Sequence, residues 1–172
     1  LRRLSAIRRS CVALDAASIT LAREARQYLE FDDLDAKRIN DHVSVSPQIS
    51  PDDLPAIKAA GFTTVINNRP DGESPDQPSS AGVEAAARAL GLDYHYIPLG
   101  RDGVSSQMVE DTKAALEGSA GPVFCYCRSG TRSTTLWALS QAGELPAQEI
   151  VDAAAHAGYD VSHLMGHLSQ KQ

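Results

Sequence analysis

The chain has 172 residues, of which 42% are hydrophobic, and it carries a formal net charge of −6. This length favours one buried domain with an appendage. The acidic balance argues against nucleic acid as a partner, and no apolar run approaches the roughly 20 residues of a membrane span. Three cysteines, an odd number, do not make a disulfide framework, so we expect a cytoplasmic protein in a reducing compartment.

The amino-terminal residues 1–37 differ from the rest and are predicted to form a helical extension. The opening "LRRLSAIRRS" is rich in arginine and serine and has no acid, which is typical of organelle transit peptides and leaves an organelle open as the location. Apolar residues at helical spacing predict an amphipathic helix over residues 13–30. We expect that helix to dock on the domain or on a partner chain, which would make a homo-oligomer.

Strands and helices alternate over residues 38–172, the predicted catalytic domain. The β-branched and apolar runs predict strands at 42–47, 63–67, 93–99 and 122–127. Capped segments of helical period predict helices at 50–61, 80–91, 105–118, 131–143, 146–158 and 161–168. This alternation predicts an α/β fold of three layers, with a mostly parallel sheet of four to five strands flanked by helices.

The stretch "CYCRSGTRS" joins the last predicted strand to a helix. Cys127 lies at the carboxyl end of that strand, where open α/β sheets place their sites. The free N–H groups of the loop and helix start would form an anion site and would lower the pKa of the thiol. Gly130 suits the turn, and Ser133 is expected to bond the sulfur or cap the helix. We predict Cys127 as the nucleophile and an anion site made of Arg128, Ser129, Gly130, Thr131, Arg132 and Ser133.

Two families share parts of this pattern. "YCRSGTRS" after an apolar strand resembles the active-site loop of rhodanese-type sulfurtransferases, whereas "FTTVIN" and "GLDYHYIPLGRDG" resemble compact dual-specificity phosphatases. The combination, with "VSPQIS", "INNRPDGE", "QPSS" and "AGYD", resembles the phosphatase-like domain of beta-lactamase-hydrolase-like proteins, the DUF442 family, over roughly residues 40–168. The resemblance implies a protein-tyrosine-phosphatase-like fold, and a persulfide dioxygenase or quinone reductase as a partner.

The same resemblance implies further site residues. Asp102, in "GRDG", takes the position of the phosphatase general acid, although an aspartate between two glycines is equally typical of a plain turn. Asn68 and Arg69 follow a strand end and are implied to line the site, with Arg69 as a second anion contact. Cys125 is expected to be a core residue, and His163 and His167 are not expected to bind a metal.

The loop length separates the two chemistries. Four residues stand between Cys127 and Arg132, one fewer than in the phosphatases, and Tyr126 replaces their usual histidine. A shorter loop narrows the cradle for a phosphoryl group, whereas sulfur transfer needs no strong general acid. The sequence therefore favours a cofactor-free sulfurtransferase that works through a Cys127 persulfide in sulfide or persulfide detoxification, with thiosulfate or a persulfide as its small anionic substrate. The alternatives are a phosphatase that acts on a phosphate ester through a phosphocysteine and a catalytically weak oxyanion-binding module.

Overall fold

The computed structural model describes residues 34–170. Five strands form one sheet in the order β1–β2–β5–β3–β4, in which β1 is antiparallel to β2 and all other neighbours are parallel. The strands are β1 (Lys37–Arg38), β2 (Val43–Ser46), β3 (Thr64–Asn67), β4 (Asp93–Tyr96) and β5 (Val123–Tyr126). The predicted α/β class with a mostly parallel sheet is confirmed.

Six α-helices connect and follow these strands. They are α1 (Leu54–Ala59), α2 (Ser80–Ala89), α3 (Ser106–Gly118), α4 (Thr131–Ser140), α5 (Ala147–His156) and α6 (Met165–Ser169). Short 3-10 helices at Pro51–Asp53 and Ser162–Leu164 lead into α1 and α6. Among residues 34–170, no helix is long and apolar enough to cross a membrane.

Two hydrophobic clusters cover the two faces of the sheet. One packs α1 and α2 against Val65, Phe124 and Tyr126, and the other packs α3 to α6 against Ile66 and Cys125. Neighbouring residues of one strand belong to opposite clusters because side chains alternate across a sheet. The result is the predicted three-layer arrangement.

The register aligns the carboxyl ends of the four parallel strands. Ser46 of β2 and Asn67 of β3 both pair with Tyr126 of β5, and Asn67 also pairs with Tyr96 of β4. The loops that follow these strands therefore leave from one edge of the sheet, where open α/β folds bind their ligands.

The amino-terminal predictions are only partly covered by the structure. The predicted helix over 13–30 lies outside the described residues. The predicted boundary after residue 37 falls within β1, so the sheet already includes Lys37.

Candidate active site

The loop that follows β5 wraps its backbone around the Cys127 sulfur. Cys127 is buried, and its amide donates to the carbonyl of Ser46 at 3.4 Å. The amide of Gly130 donates to the Cys127 Sγ at 3.1 Å, and α4 begins at the next residue. The thiol therefore lies at the amino-terminal end of a helix, where free N–H groups favour negative charge.

This environment lowers the pKa of Cys127. Burial alone raises the pKa of the thiol, but hydrogen bonds from the backbone amides of Ser133, Ser129, Arg132 and Gly130 outweigh burial. Cys125, two residues earlier, has no such donors, and burial raises its pKa to about 12. Of the two cysteines among the described residues, only Cys127 is placed to react as a thiolate.

Gly130 is the one loop position where a side chain is excluded outright. Its φ of +90° is left-handed, and a Cβ would lie 2.1 Å from the Tyr159 Oη. That hydroxyl donates to the carbonyl of Ser129 at 3.1 Å, so Tyr159 covers the loop and fixes one of its carbonyls. Tyr159 thus holds the shape of the loop through the Ser129 carbonyl.

Arg132 is held from outside the loop by a carboxylate. Its Nη1 donates to Glu73 Oε1 at 2.6 Å and to the Leu99 carbonyl at 2.9 Å, and its Nη2 donates to Glu73 Oε2 at 2.9 Å. A guanidinium has five N–H donors, so the Nε–H and one Nη2–H, which share one edge, are not used by Glu73 or Leu99. The guanidinium also forms a side-chain hydrogen bond with Cys127. That edge can bind an oxyanion bidentately while Glu73 holds the other.

Glu73 joins two arginines. The Arg69 Nε donates to Glu73 Oε2 at 2.9 Å, beside the two bonds from Arg132. The Arg132 hydrogen bond lowers the pKa of Glu73 to about 2 although burial opposes it, and Arg69 adds to the effect. In turn, Glu73 raises the pKa of Arg132, against burial, and the Cys127 charge contributes in the same direction. Glu73 is therefore ionised at neutral pH and orients both guanidinium groups.

The two residues predicted to line the site after β3 have different surroundings. Arg69 is 5% exposed, and its remaining guanidinium nitrogens donate to Gln48 and Ser74, so the anion that it contacts is the protein's own Glu73. Asn68 is buried. Its backbone N–H donates to the Tyr126 carbonyl, and its side-chain amide donates to the Ile97 carbonyl. Asn68 therefore ties strand ends together.

The other loop residues form the rim and the base. Arg128, Ser129 and Thr131 are exposed, and the hydroxyls of Ser129 and Thr131 form a hydrogen bond at 3.2 Å. Ser133 is buried, and its hydroxyl has no hydrogen-bond partner among the described residues. Its backbone N–H, rather than the hydroxyl, acts on the sulfur.

A polar cleft of about 510 Å³ opens beside the loop. Its walls come from three loops at the same sheet edge: Pro70, Asp71, Gly72 and Glu73, then Gly100 and Arg101, then Arg128 and Arg132. Asp102 is exposed in the turn beside Arg101 and is not one of these wall residues. The cleft thus brings the predicted Arg128 and Arg132 together with Glu73 and Arg101, which sequence reasoning did not identify.

Tyr126, the position at which the sequence departs from the usual histidine of the phosphatases, packs in the cluster between the sheet and helices α1 and α2. Its hydroxyl lies 3.3 Å from the Tyr94 hydroxyl, which also bonds with the Asn67 amide and the Ser80 hydroxyl, both at 3.0 Å. Burial raises the pKa of both tyrosines, so they are neutral. This buried network links β3, β4 and β5 directly below the loop.

Sequence reasoning missed Glu73 and Tyr159, yet both carried a signal. They lie in "INNRPDGE" and "AGYD", two of the segments on which the family resemblance depends. Neither is near Cys127 in the chain, so only the fold reveals that they meet the loop. His163 and His167 are exposed, and residues 34–170 contain no group of three or more side chains placed to hold a metal ion.

Comparison with known sequences agrees with the resemblance noted above. The sequence profile of the phosphatase-like domain of beta-lactamase hydrolase-like proteins matches residues 35–144. A beta-lactamase hydrolase-like protein of Agrobacterium fabrum is 35% identical over 128 residues, which cover 73% of this chain and 30% of that protein. The chain therefore spans about a third of the length of the curated relatives that it matches.

Solved structures give the same result for the fold. A candidate phosphatase from Neisseria meningitidis superposes with a TM-score of 0.69 at 29% identity, covering 81% of this chain and 99% of that one. A candidate phosphatase of the DUF442 family from Shewanella putrefaciens gives a TM-score of 0.63 at 21% identity, covering 84% and 97%. The predicted protein-tyrosine-phosphatase-like fold is confirmed.

Proposed function

This chain belongs to the family of phosphatase-like domains of beta-lactamase hydrolase-like proteins, and on that premise we propose that it is a cysteine-dependent phosphatase acting on phosphate monoesters. The observation that carries the proposal is the position of Cys127. Its sulfur lies inside a ring of backbone N–H donors at a helix start, next to an arginine that interacts with the thiolate and has a donor edge not used by Glu73. Phosphoryl transfer through a phosphocysteine requires such a thiolate and is stabilised by such a set of donors.

In the first step the Cys127 thiolate attacks the phosphorus atom. An S–P bond forms, the bond from phosphorus to the ester oxygen breaks, and the alcohol leaves. Charge spreads over the three non-bridging oxygens, where the loop N–H groups and the edge of Arg132 that faces away from Glu73 act. Glu73 supports this step by fixing the other edge of the guanidinium.

The leaving alcohol needs a proton. Neither carboxylate of the cleft is suited to supply this proton. Asp71 accepts a hydrogen bond from the Ser80 backbone N–H at 2.8 Å, and Glu73 has a pKa of about 2. Asp102 stands on the turn next to the cleft, and we assign it the role of general acid. Gly103 follows it with a φ of +84°, a conformation that lets the turn reverse sharply.

In the second step water attacks the phosphorus of the phosphocysteine. The S–P bond breaks, inorganic phosphate leaves and the thiolate is restored, so no cofactor or metal is consumed. The ionised Asp102, having given its proton to the alcohol, takes one from the attacking water. The same N–H donors that hold the thiolate stabilise it as the leaving group.

Sulfur transfer is retained as the second candidate because of one observation, the four-residue interval between Cys127 and Arg132. In that reaction the thiolate would take the outer sulfur of thiosulfate, sulfite would leave, and Asp102 would have no role. The comparisons favour the phosphatase over the sulfurtransferase that the sequence alone favours. The persulfide dioxygenase or quinone reductase partner stays a prediction tied to this second candidate.

Hydrolysis of para-nitrophenyl phosphate tests the proposed function. We expect turnover by the wild type, none by Cys127→Ser, and nearly unchanged turnover by Cys125→Ala, the matched cysteine of the core. Oxyanion binding without turnover of this or any other phosphate monoester would instead indicate the third alternative, a binding module.

A further inference from the structure

We propose that the natural substrate is a small polyanion, a phosphate monoester that carries a second phosphate or carboxylate, and that Arg101 and Arg128 bind this second group. The inference rests on the proposed function, because the reacting phosphate would occupy the loop above Cys127. It adds a specificity subsite at the mouth of the cleft, formed by one residue from each of two loops.

Ion pairing separates these two arginines from the others. Among residues 34–170 there are six arginines, and four of them pair with a carboxylate: Arg38 with Asp41, Arg69 with Glu73, Arg88 with Glu84, and Arg132 with Glu73. Arg101 and Arg128 have no ion pair or hydrogen bond from their side chains to any described residue. Both are exposed, and both line the cleft that contains Arg132.

Neither carboxylate in the cleft forms an ion pair or hydrogen bond with Arg101 or Arg128, and the cleft walls carry three arginines against these two carboxylates. Asp71 accepts from the Ser80 amide, and Glu73 is shared by Arg69 and Arg132. In a chain with a net charge of −6, unpaired guanidinium groups at a site entrance leave a local positive field. That field favours a ligand with more than one negative group.

The residues of the cleft walls also indicate the chemistry of the rest of the ligand. They contain charged residues, two glycines and one proline, but no aromatic side chain. A flat aromatic ester, such as a phosphotyrosine side chain, would find no ring to stack on there. A compact polar molecule whose second anion lies near the arginines fits these walls better.

Binding of two phosphonates that the enzyme cannot hydrolyse tests the subsite without relying on turnover. Methylphosphonate has one anionic group and methylenebisphosphonate has two, and calorimetry on the wild type at fixed ionic strength gives both Kd values. We expect the bisphosphonate to bind about fivefold more tightly, since two exposed ion pairs together contribute a factor between about 2 and about 30. In Arg101→Gln/Arg128→Gln this preference should fall to about twofold or less.

The matched control is Arg38→Gln/Arg88→Gln, which removes the same charge from exposed pairs outside the cleft. It should keep the preference of the wild type. Equal binding of both phosphonates by the wild type, or an equal loss of preference in both double variants, would overturn the proposal. Failure of para-nitrophenyl phosphate hydrolysis would overturn the proposed function instead, so the two failures are distinguishable.

Discussion

Glu73 and Arg132 are 59 residues apart in the chain and form a two-pronged ion pair at the edge of the cleft. The carboxylate takes the terminal nitrogens of the guanidinium and leaves the edge with Nε for a ligand. Because Glu73 also pairs with Arg69, a buried arginine, it connects the reactive loop to the base of the loop after β3. The ion pair therefore orients Arg132 for a ligand as well as stabilising the folded protein.

Replacement of Glu73 by glutamine should lower kcat/KM for para-nitrophenyl phosphate about tenfold, because Arg132 loses the partner that orients it. The matched control is Glu84→Gln, which breaks the exposed pair with Arg88 and should leave kcat/KM unchanged. Equal rates for Glu73→Gln and the wild type would show that Arg132 needs no such orientation.

The same substitution should change how stability depends on pH. The pKa of Glu73 is depressed to about 2 in the folded protein, so its contribution is present above the unfolded pKa of about 4.5 and is lost as pH falls toward 2. Denaturant unfolding at neutral pH should show Glu73→Gln to be about 1–2 kcal/mol less stable than the wild type, a figure reduced for partial exposure. The difference should shrink below about pH 4.5, and a constant difference across that range would contradict the low pKa.

The titration of Cys127 can be observed directly. Thiolate absorbance as a function of pH, taken as the difference between the wild type and Cys127→Ser, should give a pKa below that of a free cysteine, about 8.5. The same difference for Cys125→Ala should show no thiolate in that range, because its pKa is raised to about 12. An ordinary or raised pKa for Cys127 would remove the basis of its role as nucleophile.

The close approach of Gly130 and Tyr159 predicts a coupled pair of substitutions. Gly130→Ala should destabilise the protein by about 2 kcal/mol or more, from the left-handed φ and from overlap with the tyrosine hydroxyl. In the Tyr159→Ala background the same substitution should cost less, since only the backbone penalty remains. Additive losses in a double-mutant cycle would show that the two residues do not meet.

The proposed role of Asp102 predicts a dependence on the leaving group. Asp102→Asn should slow hydrolysis of an alkyl phosphate far more than that of para-nitrophenyl phosphate, whose phenolate leaves with less help from a proton. Val104→Ala, a change at an exposed residue of the same turn that does not line the cleft, serves as a control for disturbance of the turn. An equal, small effect on both esters would make Asp102 a turn residue only.

Much of the fold was predictable from the sequence because each element has a local cause. The strand that ends at Cys127 is apolar, and α4 follows a glycine that adopts a left-handed φ of +90°. Strand β1 was not predicted, since Lys37 and Arg38 are exposed and are held by pairing with β2 rather than by an apolar pattern.

The site was predictable where it is local and not where it depends on tertiary contacts. Cys127, Gly130 and Arg132 share one loop, so their spacing is visible in the sequence. Glu73 and Tyr159 reach that loop from distant segments; the family resemblance marks those segments, but their contacts with the loop follow only from the fold. The preference for sulfur transfer rested on the loop, through its length and its resemblance to rhodanese-type loops, and on the ease with which sulfite leaves, whereas the family and the fold favour a phosphatase.

The covalent intermediate on Cys127 decides between the two chemistries. The wild type would be mixed with an excess of para-nitrophenyl phosphate, quenched in denaturant within the first turnover, and its Cys127 peptide weighed by mass spectrometry, with a parallel sample in thiosulfate. We predict a phosphoryl group on Cys127 from the ester, none in Cys127→Ser, and no added sulfur from thiosulfate. A sulfur atom added to Cys127 by thiosulfate, with no phosphoryl adduct from the ester, would contradict the proposed phosphatase.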